Sequence, residues 1–288
     1  MPATIHPETS AGAVTLTASN LDQAVEFYTR KLGFQILFQD ESSARLGTTG
    51  RKLLTLIGNP AARRALHSTG LFHFAILLPS RVELAKMLRH YIQAGGRLQG
   101  AADHLVSEAV YLADPEGTGI ELYRDRPRQE WIRDVSGIRM STDRLDVESL
   151  IAEADGQTQS WSGLPEGARM GHVHLRVADI PAAERFYHDV LGFDITARYG
   201  DSASFFSAGG YHHHFAANTW GSAGAPPPPA NAVGLQEFVV ALPDEAERKR
   251  VAGRIQAAGI PMEETADGVL VRDPSGNLLR LSFSKKDS

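Results

Sequence analysis

Hydrophobic positions in this chain follow first one period and then another. Val14 and Leu16 recur at every second position, which is typical of a half-buried strand. The next hydrophobic positions have helical spacing, at Leu21, Ala24, Val25, Tyr28 and Leu32. Gly33 then stands where a helix end favours a residue able to adopt positive φ, and short strands follow to about Thr55. The pattern predicts a βαβββ unit.

This unit recurs because the chain contains an internal repeat. Sliding the sequence by 159 positions aligns GAVTL at 12–16 with GHVHL at 171–175, and it also aligns the FY and LGF segments that follow. A second pair of units begins with GLFHF at 70–74 and GLQEF at 234–238, and each ends with a DPxG segment. The chain therefore consists of two halves, each containing two units.

A single βαβββ unit cannot close a core around its curved sheet, so the units should pair. We predict an α+β fold in which four βαβββ modules pair into two half-open barrels. The repeat predicts an N-terminal domain over 1–125, a connector over 126–169 and a C-terminal domain over 170–288. The modules themselves are predicted at 12–58, 70–123, 170–220 and 233–284.

Composition narrows the range of functions. The 288 residues include no cysteine, which excludes disulfides, iron–sulfur clusters, thiolate zinc sites and cysteine nucleophiles, so a bound metal must use nitrogen and oxygen ligands. The net charge of −5 offers no basic surface to nucleic acid phosphates. No signal-like segment or apolar run of 18 residues is present, so we expect a cytoplasmic protein with neither nucleic acid nor a membrane as partner.

Two histidines occupy equivalent places in the repeat. His73 lies on the first strand of unit two, and His172 lies on the first strand of unit three. Glu121 lies in the last strand of unit two, after a DPxG segment. The corresponding positions of units one and four hold Ala13, Thr55, Glu237 and Arg280. Arg280 would place a fixed cation there, so no metal set survives in that pair of units.

The histidine-rich strands leave one choice open. His174 shares a strand face with His172, and His212 shares a face with His214, whereas His213 points away. A shift of two residues would therefore exchange His174 or His212 for its neighbour at a site.

The repeated units, the DPEGTGIEL and DPSGNLLRL endings, and the FY and LGF segments resemble the vicinal oxygen chelate superfamily of glyoxalases, bleomycin resistance proteins and extradiol dioxygenases. Over nearly the whole chain, the sequence resembles the two-domain catechol 2,3-dioxygenase-like branch. The resemblance implies an extradiol dioxygenase of aromatic catabolism whose Fe(II) is held by two histidines and one glutamate, a ligand set that Mn(II) also accepts. Its partners would be an aromatic diol and dioxygen, and we expect a homo-oligomer.

The resemblance also implies a role for each site residue. The metal ligands would be His73, Glu121 and His172. The catalytic residues would be His214, on a strand in YHHHFAAN with His213 as its neighbour, His104 in the DHLVSE loop, and Tyr111, ten residues before the glutamate.

These residues come from units two and three, whereas the best-known ring-cleaving relatives build the site from their third and fourth units. Pairing within each half would leave the ligand set divided between two barrels. We therefore predict that unit two faces unit three and that unit one faces unit four. One complete metal site and one empty site would follow.

Two other functions fit the same family. A glyoxalase-I-like isomerase or lyase would use His214 as a fourth metal ligand, would prefer Ni, Co or Zn, and would need no oxygen. A binding protein of the drug-resistance type would hold an aromatic compound without metal.

Overall fold

The computed structural model describes residues 4–134, 137–157 and 161–283. Unit one consists of β1 (Ser10–Ala18), α1 (Leu21–Glu26), β2 (Gln35–Gln39), β3 (Ser43–Thr48) and β4 (Arg51–Gly58). Unit two consists of β5 (Gly70–Leu77), α2 (Arg81–Gln93), β6 (Gly100–Asp103), β7 (Ser107–Ala113) and β8 (Gly119–Asp125).

The connector carries β9 (Arg133–Asp134), β10 (Gly137–Ile138), β11 (Asp143–Arg144) and α3 (Val147–Ala152). Unit three consists of β12 (Arg169–Arg176), α4 (Ile180–Glu184), β13 (Asp194–Tyr199), β14 (Ala203–Ser207) and β15 (Phe215–Asn218). Unit four consists of β16 (Gly234–Leu242), α5 (Glu245–Ala257), β17 (Met262–Thr265), β18 (Gly268–Arg272) and β19 (Leu278–Phe283). Its predicted end at residue 284 lies outside the described residues.

The strands form two large half-barrel sheets, and each combines one unit from each half of the chain. Units one and four form an eight-stranded sheet in the order β17-β18-β19-β16-β1-β4-β3-β2. Units two and three form a nine-stranded sheet in the order β11-β6-β7-β8-β5-β12-β15-β14-β13. The predicted fold class and the predicted pairing of units are thereby confirmed, whereas the domain limits at 1–125 and 170–288 stay a prediction.

Two repeated motifs meet between consecutive units. The hydroxyl of Tyr28, from the first FY segment, donates to Asp114 in the DPEG turn at 3.0 Å. The hydroxyl of Tyr187, from the second FY segment, donates to Asp273 in the DPSG turn at 3.1 Å. Because both tyrosines are fully buried, each needs this acceptor, and the pair fixes the helix of one unit on the end of the next.

The helix signals in the sequence are also found. Each α-helix begins after a side chain that caps its first turn, namely Asn20, Ser80, Asp146, Asp179 and Asp244. The predicted helix through Leu32 is α1 followed by a π-helical turn over Phe27–Lys31, and Gly33 has φ +70° as predicted. No helix among the described residues is long and apolar enough to span a membrane.

Candidate metal centre and cavity

Three side chains with metal-ligating atoms converge on one face of the nine-stranded sheet. In β5, Ala75 pairs with Glu121 of β8 on one side and with His172 of β12 on the other. Paired residues of neighbouring strands point to the same face, and His73 shares that face because it lies two positions before Ala75. Ala75 is fully buried and contributes only a methyl group, so the three longer side chains have room to meet.

The spacing of the three ligand atoms suits an octahedral ion. Glu121 Oε2 lies 3.1 Å from Nε2 of both His73 and His172, and the two Nε2 atoms lie 3.2 Å apart. Donor atoms about 2.1 Å from an ion and at right angles to each other lie about 3.0 Å apart. The donor set is the 2-His-1-carboxylate triad. Three such ligands would occupy one face of an octahedron and leave the other coordination positions open. The residues present therefore fit the metal that the sequence implied.

Burial and mutual contact set the charge of these groups. Burial lowers the pKa of His73 against the opposing effect of Glu121, so its imidazole is neutral and can act as a ligand. Burial raises the pKa of Glu121, but the hydrogen bonds and charges of His172 and His73 outweigh it and hold this pKa well below its usual range. A neutral imidazole facing an ionised carboxylate is the state that a divalent cation requires.

His104 and Tyr111 form a second polar group on the same cavity. Nδ1 of His104 donates to the carbonyl oxygen of Ser141 at 2.6 Å, so its Nε2 accepts from the Tyr111 hydroxyl, also at 2.6 Å. Burial, and then the charge of Glu121, raises the pKa of Tyr111 well above its usual value. The structure brings both predicted residues to the cavity, where Tyr111 pairs across the strands with Glu121.

An unusual turn positions His104. The following residue, Leu105, has φ +67°, a left-handed conformation that costs a non-glycine residue about 1–3 kcal/mol. The backbone N–H of Leu105 donates to Asp103, and the backbone N–H of His104 donates to Ser107. Nothing in the sequence signalled this turn.

The predicted place of His214 is corrected by the structure. β15 begins only at Phe215, so residues 211–214 are irregular and the alternation assumed for them does not apply. His214 lines the cavity of the other sheet, where its Nδ1 accepts from the backbone N–H of Ala208 at 3.3 Å. His213 lines the cavity of the metal cluster instead, with its ring centre 4.1 Å from that of His172.

The two histidines left open by the sequence also have definite places. His174 lines the metal cavity, but its Nε2 accepts from the side-chain amide of Asn218 at 3.0 Å. His212 is 1% exposed and does not line this cavity. Its Nε2 donates a hydrogen bond of 2.9 Å to Asp125. The group of ligand atoms that lie together consists of His73, Glu121 and His172.

The cavity beside this group has a volume of about 1090 Å³, which is ample for a one-ring compound. Its apolar wall includes Phe72, Ile138, Phe205 and Trp220. Phe72 of β5 lines the cavity, whereas Phe74 of the same strand and Phe215 of β15 are fully buried in the core. Phe205 and Trp220 carried no sequence signal.

The fold and this centre define a class of protein. The chain belongs to the Glyoxalase/Bleomycin resistance protein/Dioxygenase superfamily, whose family model matches residues 10–122 and 169–281. The family predicted from the sequence is thereby confirmed.

Among known proteins, a catechol-2,3-dioxygenase of Bacillus subtilis (strain 168) is 45% identical over 277 residues, which cover 94% of this chain and 95% of that protein. This similarity supports a dioxygenase enzyme. The crystal structure of a dioxygenase candidate from Bacillus subtilis aligns with a TM-score of 0.66 at 12% identity, covering 99% of this chain and 86% of the other. Glyoxalase I from Zea mays aligns with a TM-score of 0.55 at 15% identity, covering 96% of this chain and 92% of the other. The two structures show a shared fold.

Proposed function

We propose that this protein cleaves the ring of a catechol-type aromatic in the extradiol position, with Fe(II) held by His73, Glu121 and His172. The observation that carries the proposal is the facial triad of ligand atoms, spaced 3.1–3.2 Å apart at the wall of a cavity that has ample room for an aromatic ring. When bound, Fe(II) would supply a Lewis acid and one-electron chemistry for the catechol oxygens and dioxygen, and Mn(II) accepts the same ligands.

His213 is the acid/base residue in this proposal, in place of His214. Its ring lies against that of His172 and lines the cavity, whereas His214 lines the cavity of the other sheet. Burial lowers the pKa of His213 well below its usual value, so the ring is neutral and has a nitrogen lone pair that a substrate hydroxyl can approach. A positioned acid/base of this kind typically contributes about 10²–10⁴-fold to the rate.

Tyr111 and His104 orient the substrate. The Tyr111 hydroxyl donates to His104, so the lone pairs of its oxygen are free to accept from a substrate hydroxyl. Phe72 and Trp220, whose ring centres lie 5.5 Å apart, border the aromatic ring. Holding the reactants in one orientation is worth up to about 7–11 kcal/mol in favourable cases.

Aerobic incubation of the Fe(II)-loaded protein with a panel of catechols tests the proposal. We expect oxygen uptake and a yellow ring-opened product. Resorcinols are the matched control, because their hydroxyls are not adjacent and cannot chelate one ion. If the protein at full iron content consumed no oxygen with either class of diol, the proposed function would be contradicted.

The isomerase alternative depended on His214 as a fourth metal ligand. His214 lines the cavity of the other sheet, which argues against a fourth ligand from this residue. Turnover without oxygen, supported by Ni, Co or Zn but not by Fe(II), would nevertheless favour that alternative over ring cleavage.

A further inference from the structure

His213 is connected to a carboxylate outside the metal cluster by two consecutive hydrogen bonds. Nδ1 of His213 lies 2.9 Å from Nδ1 of His212, and Nε2 of His212 lies 2.9 Å from Oδ1 of Asp125. Asp125 ends β8, the strand that carries Glu121, and positions 121 and 125 share a face because they are four apart. One strand thus supplies both the candidate metal carboxylate and the carboxylate at the end of this chain of contacts.

The direction of each hydrogen bond follows from the carboxylate. An ionised carboxylate only accepts, so Nε2 of His212 carries the hydrogen of that bond. When each of the two imidazoles carries one hydrogen, Nδ1 of His212 is an acceptor and Nδ1 of His213 donates to it. Neutral His213 with its hydrogen on Nδ1 has a lone pair on Nε2, the nitrogen that His212 leaves free.

The surroundings hold His212 in this orientation. Its side chain is 1% exposed, and its ring centre lies 4.0 Å from that of Tyr211 and 5.3 Å from that of Trp131. The Tyr211 hydroxyl also donates to Oδ1 of Asp125 at 3.1 Å and lies 2.8 Å from the hydroxyl of Tyr123. Aromatic contacts on both sides therefore pack against the ring of His212, and its bond to the carboxylate determines which nitrogen faces Asp125.

We propose that Asp125 and His212 are positioning residues that fix the tautomer and orientation of His213, so that its Nε2 faces the substrate as a proton acceptor. This inference rests on the proposed role of His213 as the acid/base of ring cleavage. His212 and His213 lie in the irregular segment 211–214 of the second half, and Asp125 is the last residue of β8 in the first half. These hydrogen bonds therefore connect the two halves of the chain at the site.

Asp125→Asn tests the inference, because an amide nitrogen donates a hydrogen bond and allows His212 and His213 to reverse their bonds. We expect kcat to fall about 10-fold to 100-fold, a part of the acid/base contribution, with KM and iron content unchanged. Asp125→Glu should recover part of this loss. Tyr211→Phe is the control, because it removes a hydrogen bond to the same carboxylate and leaves the link to His213 intact.

Nuclear magnetic resonance of the full-length metal-free chain, labelled with ¹⁵N-histidine, gives a readout independent of activity. The signals of His213 are identified by their loss in His213→Gln. We expect hydrogen on Nδ1 of His213 in the wild type and in Tyr211→Phe, and a mixture with hydrogen on Nε2 in Asp125→Asn. An unchanged tautomer in Asp125→Asn, or hydrogen on Nε2 in the wild type, would overturn the positioning role. A tautomer that responds as expected in a protein inactive toward all catechols would instead contradict the proposed function alone.

Discussion

The two sheets of this protein have equivalent backbone positions that carry different side chains. The nine-stranded sheet has His73, His172 and Glu121 at three positions where the eight-stranded sheet has Glu237, Ala13 and Arg280. In the eight-stranded sheet, the guanidinium of Arg280 donates two hydrogen bonds of 2.7 Å to the carboxylate of Glu237. Where the nine-stranded sheet has three candidate ligands for a metal cation, the eight-stranded sheet therefore has an ion pair between two of its own side chains.

The space between these positions differs as well. Ala75, between the ligands of the nine-stranded sheet, corresponds to Val239 in the eight-stranded sheet. The larger side chain packs against Gly12, where an added Cβ would lie 2.7 Å from a methyl carbon of Val239. The comparison shows that the fold provides the converging positions twice, and that a few side chains decide whether a site exists.

The largest expected effect is the loss of the carboxylate ligand. Glu121→Ala should lower metal affinity more than about 100-fold and abolish activity, because two imidazoles alone hold Fe(II) weakly. Glu237→Ala removes the carboxylate from the matching group of side chains in the other sheet, and it should leave both metal affinity and activity unchanged. Metal analysis after anaerobic loading, together with oxygen uptake, measures the difference, and equal iron retention in Glu121→Ala and the wild type would refute the metal site.

The second comparison concerns the two adjacent histidines that face different cavities. His213→Gln should retain iron but lose about 10²–10⁴-fold in kcat, because it removes the acid/base group. His214→Gln should change kcat only a few-fold, since its ring lines the other cavity. Steady-state kinetics at matched iron content measures both, and a reversed order of effects would restore His214 as the catalytic residue.

The ion pair of the eight-stranded sheet should contribute to stability and not to catalysis. Arg280→Leu leaves the Glu237 carboxylate, 16% exposed, without its partner and should lower the free energy of unfolding by about 1–3 kcal/mol, less than a fully buried pair would cost. Adding Glu237→Leu should recover most of this loss. Urea unfolding of the single and double variants measures it, and a double variant no more stable than Arg280→Leu would contradict this account.

The last expected effect is a pH dependence of stability. Burial lowers the pKa of His214 from 6.5 to about 3, so the unfolded chain binds a proton that the folded chain excludes. This histidine therefore does not lower the free energy of unfolding above about pH 6.5. Below that pH, the free energy of unfolding falls by about 1.4 kcal/mol per pH unit until the pH approaches 3. Between pH 7.5 and 5.0, His214→Gln should therefore lose about 2 kcal/mol less than the wild type in urea unfolding. Parallel losses in the two proteins would show that this histidine is not protected by folding.

The repeat carried most of the prediction of fold. Equivalent strands at 12–16 and 171–175 indicated four βαβββ units, and the division of ligands between His73 and His172 predicted which units pair. That argument succeeds because strand register places side chains of known spacing on a known face.

The remaining features depend on irregular backbone. His213 and His214 exchange places relative to the prediction because residues 211–214 precede β15 and do not alternate as a strand does. His104 reaches Tyr111 through a turn with Leu105 at positive φ, which no residue type there signals. The link from Asp125 to His213 joins residues 88 positions apart in the chain, and only tertiary structure reveals it.

Because β5 pairs with β12, the three proposed metal ligands come together only in a chain that contains both halves. His73 and Glu121 are synthesised early, whereas His172 lies beyond the connector. A ribosome must therefore release β12 before the third donor atom can arrive, and a chain truncated within residues 126–169 would present only two ligands. Neither half can form the proposed metal centre by itself, which ties the proposed activity to the presence of both halves in one chain.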